Sequence, residues 1–302
     1  GLEALLDYYD EIDENMESEK SMNRLLQGDV GSGKTVVAMI SAYKAVKSGY
    51  QAAILAPTAI LATQHMVNFE KMLNQFDIKC ELLISGISKK KKEDILERLK
   101  NGEIDILIGT QMVVKGHHFP NVTLVGVIAA DSSLNIDDYR ATERTFQILT
   151  QVAGRAGREN LPGKVIIQTY NPENFSIQDA QKQNYQEFYE TEIALRKQLK
   201  YPPFCDIIII GFNSLNEAEI KKVSNKAYEY LIKKLNNEEF KIFKPMPSPI
   251  DKIQNRFRWR IIIKGNMNEQ ANGVLNDLLK EIYSENYKNT KVSVDVNPNS
   301  MV

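Results

Sequence analysis

Gly28-Asp29-Val30-Gly31-Ser32-Gly33-Lys34-Thr35 is the stretch on which the fold of this chain turns. It fits G-x-x-x-x-G-K-[ST], a phosphate-binding loop. The glycines let backbone N–H groups close on one anion without a Cβ in the way. The helix that such a loop opens adds the partial positive charge of its N-terminus. Lys34 is suited to reach the outer phosphates of a nucleoside triphosphate, and the Thr35 hydroxyl to ligate Mg²⁺. The surroundings agree: the apolar pair Leu25-Leu26 comes before, and residues 35–47 read as a helix stopped near Gly49. Residues 28–35 are therefore the expected cradle of a nucleotide.

Outward from the loop, apolar runs at 52–56, 81–84, 104–108, 122–129 and 164–169 read as strands. Helical segments at 59–73, 89–99 and 143–152 alternate with them. That alternation predicts an α/β domain with a mainly parallel sheet over residues 21–170. An acidic amphipathic helix at 1–20 is expected to precede it. After Tyr170 the pattern changes. Residues 177–199 read as one long polar helix within a helical linker at 171–200. Residues 201–302 read as strand, helix, strand, strand, helix, strand. This β-α-β-β-α-β order predicts a smaller, ferredoxin-like α+β domain.

Composition narrows the function. The chain has 302 residues, 38 Lys+Arg against 39 Asp+Glu, and a formal net charge of −1. A protein that coats nucleic acid by bulk charge is excluded, so any such contact must come from local patches. Cys80 and Cys205 are the only cysteines, too few for a disulfide framework or a four-cysteine zinc site, so no zinc is expected. A reducing, cytoplasmic setting is expected. No apolar run approaches the ~20 residues of a membrane span, so no membrane partner is expected. The start, Gly1-Leu2-Glu3-Ala4, shows no secretory signal and no initiating methionine, and is expected to lie inside a longer protein.

A phosphate loop needs a second carboxylate on the metal side. Asp10-Glu11-Ile12-Asp13 spells an acidic box but precedes the loop and follows no apolar strand, so it reads as helix surface. Asp131 is the better candidate, because it ends the apolar run 122–130. Ser132 stands where a water-polarising glutamate would follow. The alternative for Asp131 is a turn or cap.

Two blocks resemble known families. Residues 16–110 resemble the first motor lobe of the RecG family of branched-DNA translocases. The matching words are Met22-Asn23-Arg24-Leu25-Leu26-Gln27 with the loop, and Leu55-Ala56-Pro57-Thr58-Ala59-Ile60-Leu61-Ala62-Thr63-Gln64-His65. The resemblance implies that Pro57, Thr58 and Gln64 lie in a segment touching the DNA backbone. Residues 105–302 resemble the C-terminal part of the PriA family of replication-restart helicases. The words are Gly109-Thr110-Gln111-Met112-Val113-Val114-Lys115-Gly116-His117-His118-Phe119-Pro120, then Gln151-Val152-Ala153-Gly154-Arg155-Ala156-Gly157-Arg158, then Val294-Asp295-Val296-Asn297-Pro298-Asn299-Ser300. The family implies that Thr110, Lys115 and Gly116 couple DNA contact to ATP. It implies that Arg158, with Arg155 second, stabilises γ-phosphate charge as a finger, with Gln151 near the nucleotide.

These resemblances imply a superfamily 2 helicase using ATP and Mg²⁺ on branched or forked DNA. Single-strand DNA-binding protein and primosome components are implied partners. An Asp-Glu-x-His box and helicase motifs III and IV are not seen between the loop and residue 109. The stretch from Gly28 to Tyr170 is about one domain long (~150 residues), so a single hybrid RecA-like domain is expected. In such a domain Arg155 and Arg158 share a sheet with the phosphate loop and could act only on a neighbouring copy. In the C-terminal domain, Arg256-Phe257-Arg258-Trp259-Arg260 sets three arginines on one strand face and aromatics on the other. The arginines are candidates for phosphate contact.

Overall fold

The computed structural model describes Ile12 and residues 22–27, 34–110, 121–153, 163–235, 238–285 and 287–301. The segments expected as the N-terminal helix, the glycine loop 28–33, Lys115, Gly116, His117, His118, Arg155 and Arg158 lie outside the described residues, Ile12 excepted. Two compact units are present. One is Gly1–Asn135 with Arg140–Tyr189, and the other is Ile136–Tyr139 with Glu190–Val302.

The first unit is built on one six-stranded parallel sheet. Its strands are β1 (Met22–Gln27), β2 (Gln51–Ala56), β3 (Cys80–Leu83), β4 (Ile106–Thr110), β5 (Val122–Val127) and β6 (Lys164–Thr169), in the order β1-β6-β5-β2-β4-β3. Helices α1 (Lys34–Lys47), α2 (Ala59–Leu73), α3 (Lys89–Lys100) and α4 (Ala141–Ala153) cross between them. Every residue of β2, β4, β5 and β6 is buried, as expected of strands covered by helices on both faces. Full burial of a side chain such as Ile54 or Leu55 contributes about 1.5–3 kcal/mol. Before residue 171 the described strands form this one sheet, in agreement with a single RecA-like unit.

Strand β5 stops sooner than its apolar run suggests. Ala129 takes a left-handed conformation (φ 51°), and Ala130–Ser133 is a 3-10 turn, so Asp131 sits in a turn rather than on a strand. The apolar run misleads because Ile128, Ala129 and Ala130 stay buried after leaving the ladder. The expected long helix at 177–199 is also two helices, α5 (Phe175–Lys182) and α6 (Tyr185–Leu199). Gln183 at φ 53° breaks the path, and the Asn184 side chain accepts from Glu187 N–H. Polar residues carry no periodicity strong enough to show such a break.

The second unit contains an antiparallel sheet with two helices on one face. Its elements are β7 (Asp206–Ser214), α7 (Glu217–Leu235), β8 (Lys241–Ile242), β9 (Met246–Ile253), β10 (Arg256–Gly265), α8 (Glu269–Ser284) and β11 (Thr290–Val296). The order β11-β7-β10-β8, all antiparallel, matches the ferredoxin-like expectation. Strand β9, unforeseen in the sequence, pairs with β10 through the turn residues Gln254 and Asn255, both at positive φ. The even-numbered residues Ile208, Ile210 and Phe212 of β7 enter the helix-side core with Val223, Leu231 and Leu275. Phe257 and Trp259 pack against the same core. The odd-numbered residues of β7 and Arg256, Arg258 and Arg260 therefore share the opposite face.

Candidate functional site

Six parallel strands end on one edge, and ligands of such sheets bind beyond the carboxyl ends of the strands. Gln27 ends β1 there, and α1 opens at Lys34, so the glycine loop joins these two points. Thr35 is half-buried in the first turn of α1. Pro57 and Thr58 follow β2, Thr110 ends β4, Asp131 follows β5 and Thr169 ends β6. The fold thus gathers five separate sequence words along one line.

Asp131 is the best-determined member. It is 7% exposed. Its Oδ1 accepts from the Thr169 hydroxyl and from Asn171 N–H at 3.0 Å, and its Oδ2 accepts from Tyr170 N–H at 2.7 Å. Thr169 in turn is the register partner of Gln27, the last residue before the glycine loop. A chain of neighbours therefore runs from the loop strand through Thr169 to Asp131. The turn is held from a second side, because Gln168 Oε1 accepts from Ala129 N–H at 3.0 Å. Thr169 and Gln168 were missed in the sequence, since a polar pair at a strand end gives no periodic signal.

A carboxylate offers about four lone-pair positions. Oδ1 uses two, while Oδ2 uses one and keeps one. The hydroxyl of Thr35 and the free lone pair of Asp131 are of the oxygen chemistry that Mg²⁺ takes, and a cation there would neutralise phosphate charge. No cluster of three or more metal-binding side chains occurs among the described residues.

The remaining candidates divide. Thr58 caps α2, its hydroxyl oxygen accepting from Leu61 N–H at 3.3 Å. Gln64 is exposed on the same helix. His65 beside it is half-buried, its Nδ1 has no partner among the described residues, and burial lowers its pKa. Thr110 is buried, and its hydroxyl has no partner among the described residues. Gln151 departs from expectation. Helix α4 follows β5 at the carboxyl edge and returns the chain to the start of β6, so its last turn, with exposed Gln151, lies at the amino edge. Thirteen residues of helix span ~20 Å, which separates Gln151 from this chain's own phosphate loop.

In the second unit, Arg260 also departs from expectation. It is 3% exposed, and its guanidinium donates to the Asp137 carboxylate and the Met301 carbonyl. It is a structural tether rather than a free cation. Arg256 and Arg258 remain half-buried on the open face, joined by exposed Lys291 of β11. By register, Asn213 of β7 lies between Arg258 and Lys291.

Comparison with known proteins agrees with this division. Residues 11–153 match the DEAD/DEAH box helicase family, and residues 197–299 match the primosomal protein N C-terminal domain. The chain is 41% identical over 212 residues to the replication restart protein PriA of Bacillus subtilis (strain 168), covering 70% of this chain and 26% of the relative. It is 44% identical over 170 residues to that of Synechocystis sp. (strain ATCC 27184 / PCC 6803 / Kazusa), covering 56% of this chain and 20% of the relative. The chain thus spans about a quarter of the length of these relatives. A structure of RecG bound to a three-way DNA junction aligns at 30% identity and TM-score 0.47, covering 60% of this chain and 23% of that one. The helicase resemblance of the first part and the primosomal resemblance of the second are borne out. No described helix is long and apolar enough to cross a membrane.

Proposed function

We propose that this chain is an ATP-binding, DNA-binding protein of the replication-restart helicase type. Its nucleotide sits at the carboxyl edge of the parallel sheet, and its branched or forked DNA contacts both units. The observation that carries the reading is the alignment, along that edge, of Gln27 and Thr35, which flank the glycine loop in sequence, with the Asp131–Thr169 pair. In this reading Gly28, Asp29, Val30, Gly31, Ser32, Gly33 and Lys34 hold the phosphates. Thr35 holds Mg²⁺ directly, and Asp131 acts through a metal-bound water. The N-terminus of α2, with Pro57, Thr58 and Gln64, receives a DNA phosphate. Thr110 ends β4, and with Lys115 and Gly116 it couples DNA contact to ATP in this reading. In the second unit Arg256 and Arg258 take the strand's phosphates. The relatives' replication-restart role supports single-strand DNA-binding protein and primosome components as partners, and the intracellular setting of that role.

Gln151 ends a helix that reaches the opposite edge, so in this reading it does not serve the phosphate loop of its own sheet, and Arg155 and Arg158, which follow it in the family's motif, go with it. They act on a nucleotide held by another lobe, whether in a second copy or in a longer polypeptide. Coupled unwinding needs two lobes closing on ATP, and one sheet supplies one lobe. The expected result for this chain alone is therefore nucleotide binding with weak or no DNA-stimulated hydrolysis. Equilibrium binding of a fluorescent ATP analogue, lost in Lys34→Ala, tests the site. Strong DNA-stimulated turnover that Lys34→Ala abolishes would overturn the single-lobe reading.

A further inference from the structure

We propose that a basin on the open face of the C-terminal sheet binds one unpaired nucleotide of a DNA strand, with its phosphate at one end and its base at the other. The inference rests on the DNA-binding reading and specifies it. The basin encloses about 760 Å³, within the ~300–1,000 Å³ typical of ligand pockets. Its floor is the middle of β7. At Gly211 a Cβ would come within 3.0 Å of Ser293 Oγ, so the floor dips where no side chain stands. Ser248 of β9 borders one side, and Pro298 and Ser300 of the C-terminal segment border another.

Strand register orders the groups along this floor. The first row is Arg258, Asn213 and Lys291. Strands lie ~4.8 Å apart, so the two cations flank Asn213 at about 10 Å between backbones. Their long side chains can converge on one phosphate above it. Arg256, which also lines the basin, reinforces this end. Among the described residues none of these three cations has a carboxylate within ion-pairing distance. The Asn213 Oδ1 between them has no hydrogen-bond partner among the described residues; as an acceptor it serves the N–H donors of Arg258 and Lys291 rather than the phosphate itself. The second row is Arg260, Gly211 and Ser293, and the third is Ile262, Ile209 and Asp295. Four residues of strand separate the first row from the third, about 13 Å.

The basin is therefore cationic at one end and acidic at the other, and the guanidinium in its middle row, Arg260, is already engaged by Asp137 and Met301. A bare anion gains nothing from Asp295 and is repelled by it. A nucleotide fits both ends, because its phosphate is an anion and its base edge offers N–H donors. Cytosine's amino group in particular pairs with a carboxylate acceptor. A base already paired in duplex has that edge engaged and cannot descend to the floor, so the basin selects unpaired strand.

Fluorescence anisotropy on the full chain tests this with labelled 12-mers of dC, of dT and a blunt mixed-sequence duplex. The expected order is dC over dT over duplex. Lys291→Glu or Arg258→Glu lowers single-strand affinity at least tenfold while the thermal melt stays in place. Asp295→Asn removes the preference for dC over dT, a change that a merely structural role would not produce. Equal affinity for single strand and duplex overturns the proposal. So does unchanged dC binding in both cation variants, even where forked DNA is still bound and the broader reading stands. If the chain binds no DNA of any kind, both readings fall together.

Discussion

The buried guanidinium of Arg260 is paired with the carboxylate of Asp137, a residue 123 positions earlier in the chain. Its other partner is the Met301 carbonyl, while Asp138 Oδ2 accepts from Met301 N–H at 3.1 Å. Tyr139 stacks on Tyr201 at 5.3 Å between centroids, and Arg196 lies 5.1 Å over the Tyr139 ring. Residues 136–139 are thereby built into the C-terminal unit, five to eight residues after Asp131. Asp137→Ala is expected to destabilise that unit by about 1–2 kcal/mol. This is less than a buried pair would lose, because the Asp137 side chain is 72% exposed and screened by solvent. Arg260→Met, which keeps apolar bulk and removes the charge, is expected to cost less than Asp137→Ala. Urea unfolding followed at Trp259 separates the two.

Asp131→Ala removes an acceptor from two backbone N–H groups and the Thr169 hydroxyl at once. The expected loss is about 2–4 kcal/mol in the first unit. Asp131→Asn keeps one acceptor oxygen and is expected to lie between. If the water-mediated metal role holds, Asp131→Asn weakens Mg²⁺-dependent ATP-analogue binding more than Mg²⁺-free binding, which titration with and without Mg²⁺ reads directly.

Gly109 allows β3 and β4 to lie side by side. A Cβ there would come 2.4 Å from the Leu83 carbonyl oxygen, which is backbone and cannot swing away. Gly109→Ala is expected to destabilise by about 1–3 kcal/mol through forced separation of the strands. A lower urea midpoint, with the slope unchanged, is the expected reading.

His65 gives a pH dependence with a defined sign. Burial holds its folded-state pKa below the ordinary value. As pH falls, the unfolded chain takes up this proton first, near ~6.5. The stability His65 contributes is therefore whole above that pH and is lost as pH falls through the folded-state value. Melting temperature is expected to fall between pH 7 and pH 5, with a shallower fall in His65→Gln.

Burial, reinforced by Glu70 and Asp105, pushes the Cys80 thiol up to about 12. At pH 8 its thiolate fraction is on the order of one in ten thousand. Cys205 is also raised by burial, but Lys264 and Lys200 pull the other way. A thiol-specific reagent at pH 8 is expected to label Cys205 first and Cys80 only on unfolding, as peptide mass mapping would show.

The alternating apolar runs and the glycine loop by themselves determined a parallel sheet, a nucleotide edge and a second α+β unit. Those features are local, since burial patterns and turn chemistry lie within a few residues of one another. A period of two likewise placed Arg256, Arg258 and Arg260 on one strand face. Only the tertiary structure decided that Arg260 is a tether while Arg258 stays available, because what covers a face comes from distant chain such as Asp137 and Met301. Only the tertiary structure put Gln151 at the amino edge of the sheet, because the direction of a crossover helix decides which sheet edge its last turn reaches. Likewise, Asp131 was legible as an acid after a strand, but its role depends on Thr169, Tyr170 and Asn171, brought to it by the pairing of β5 with β6.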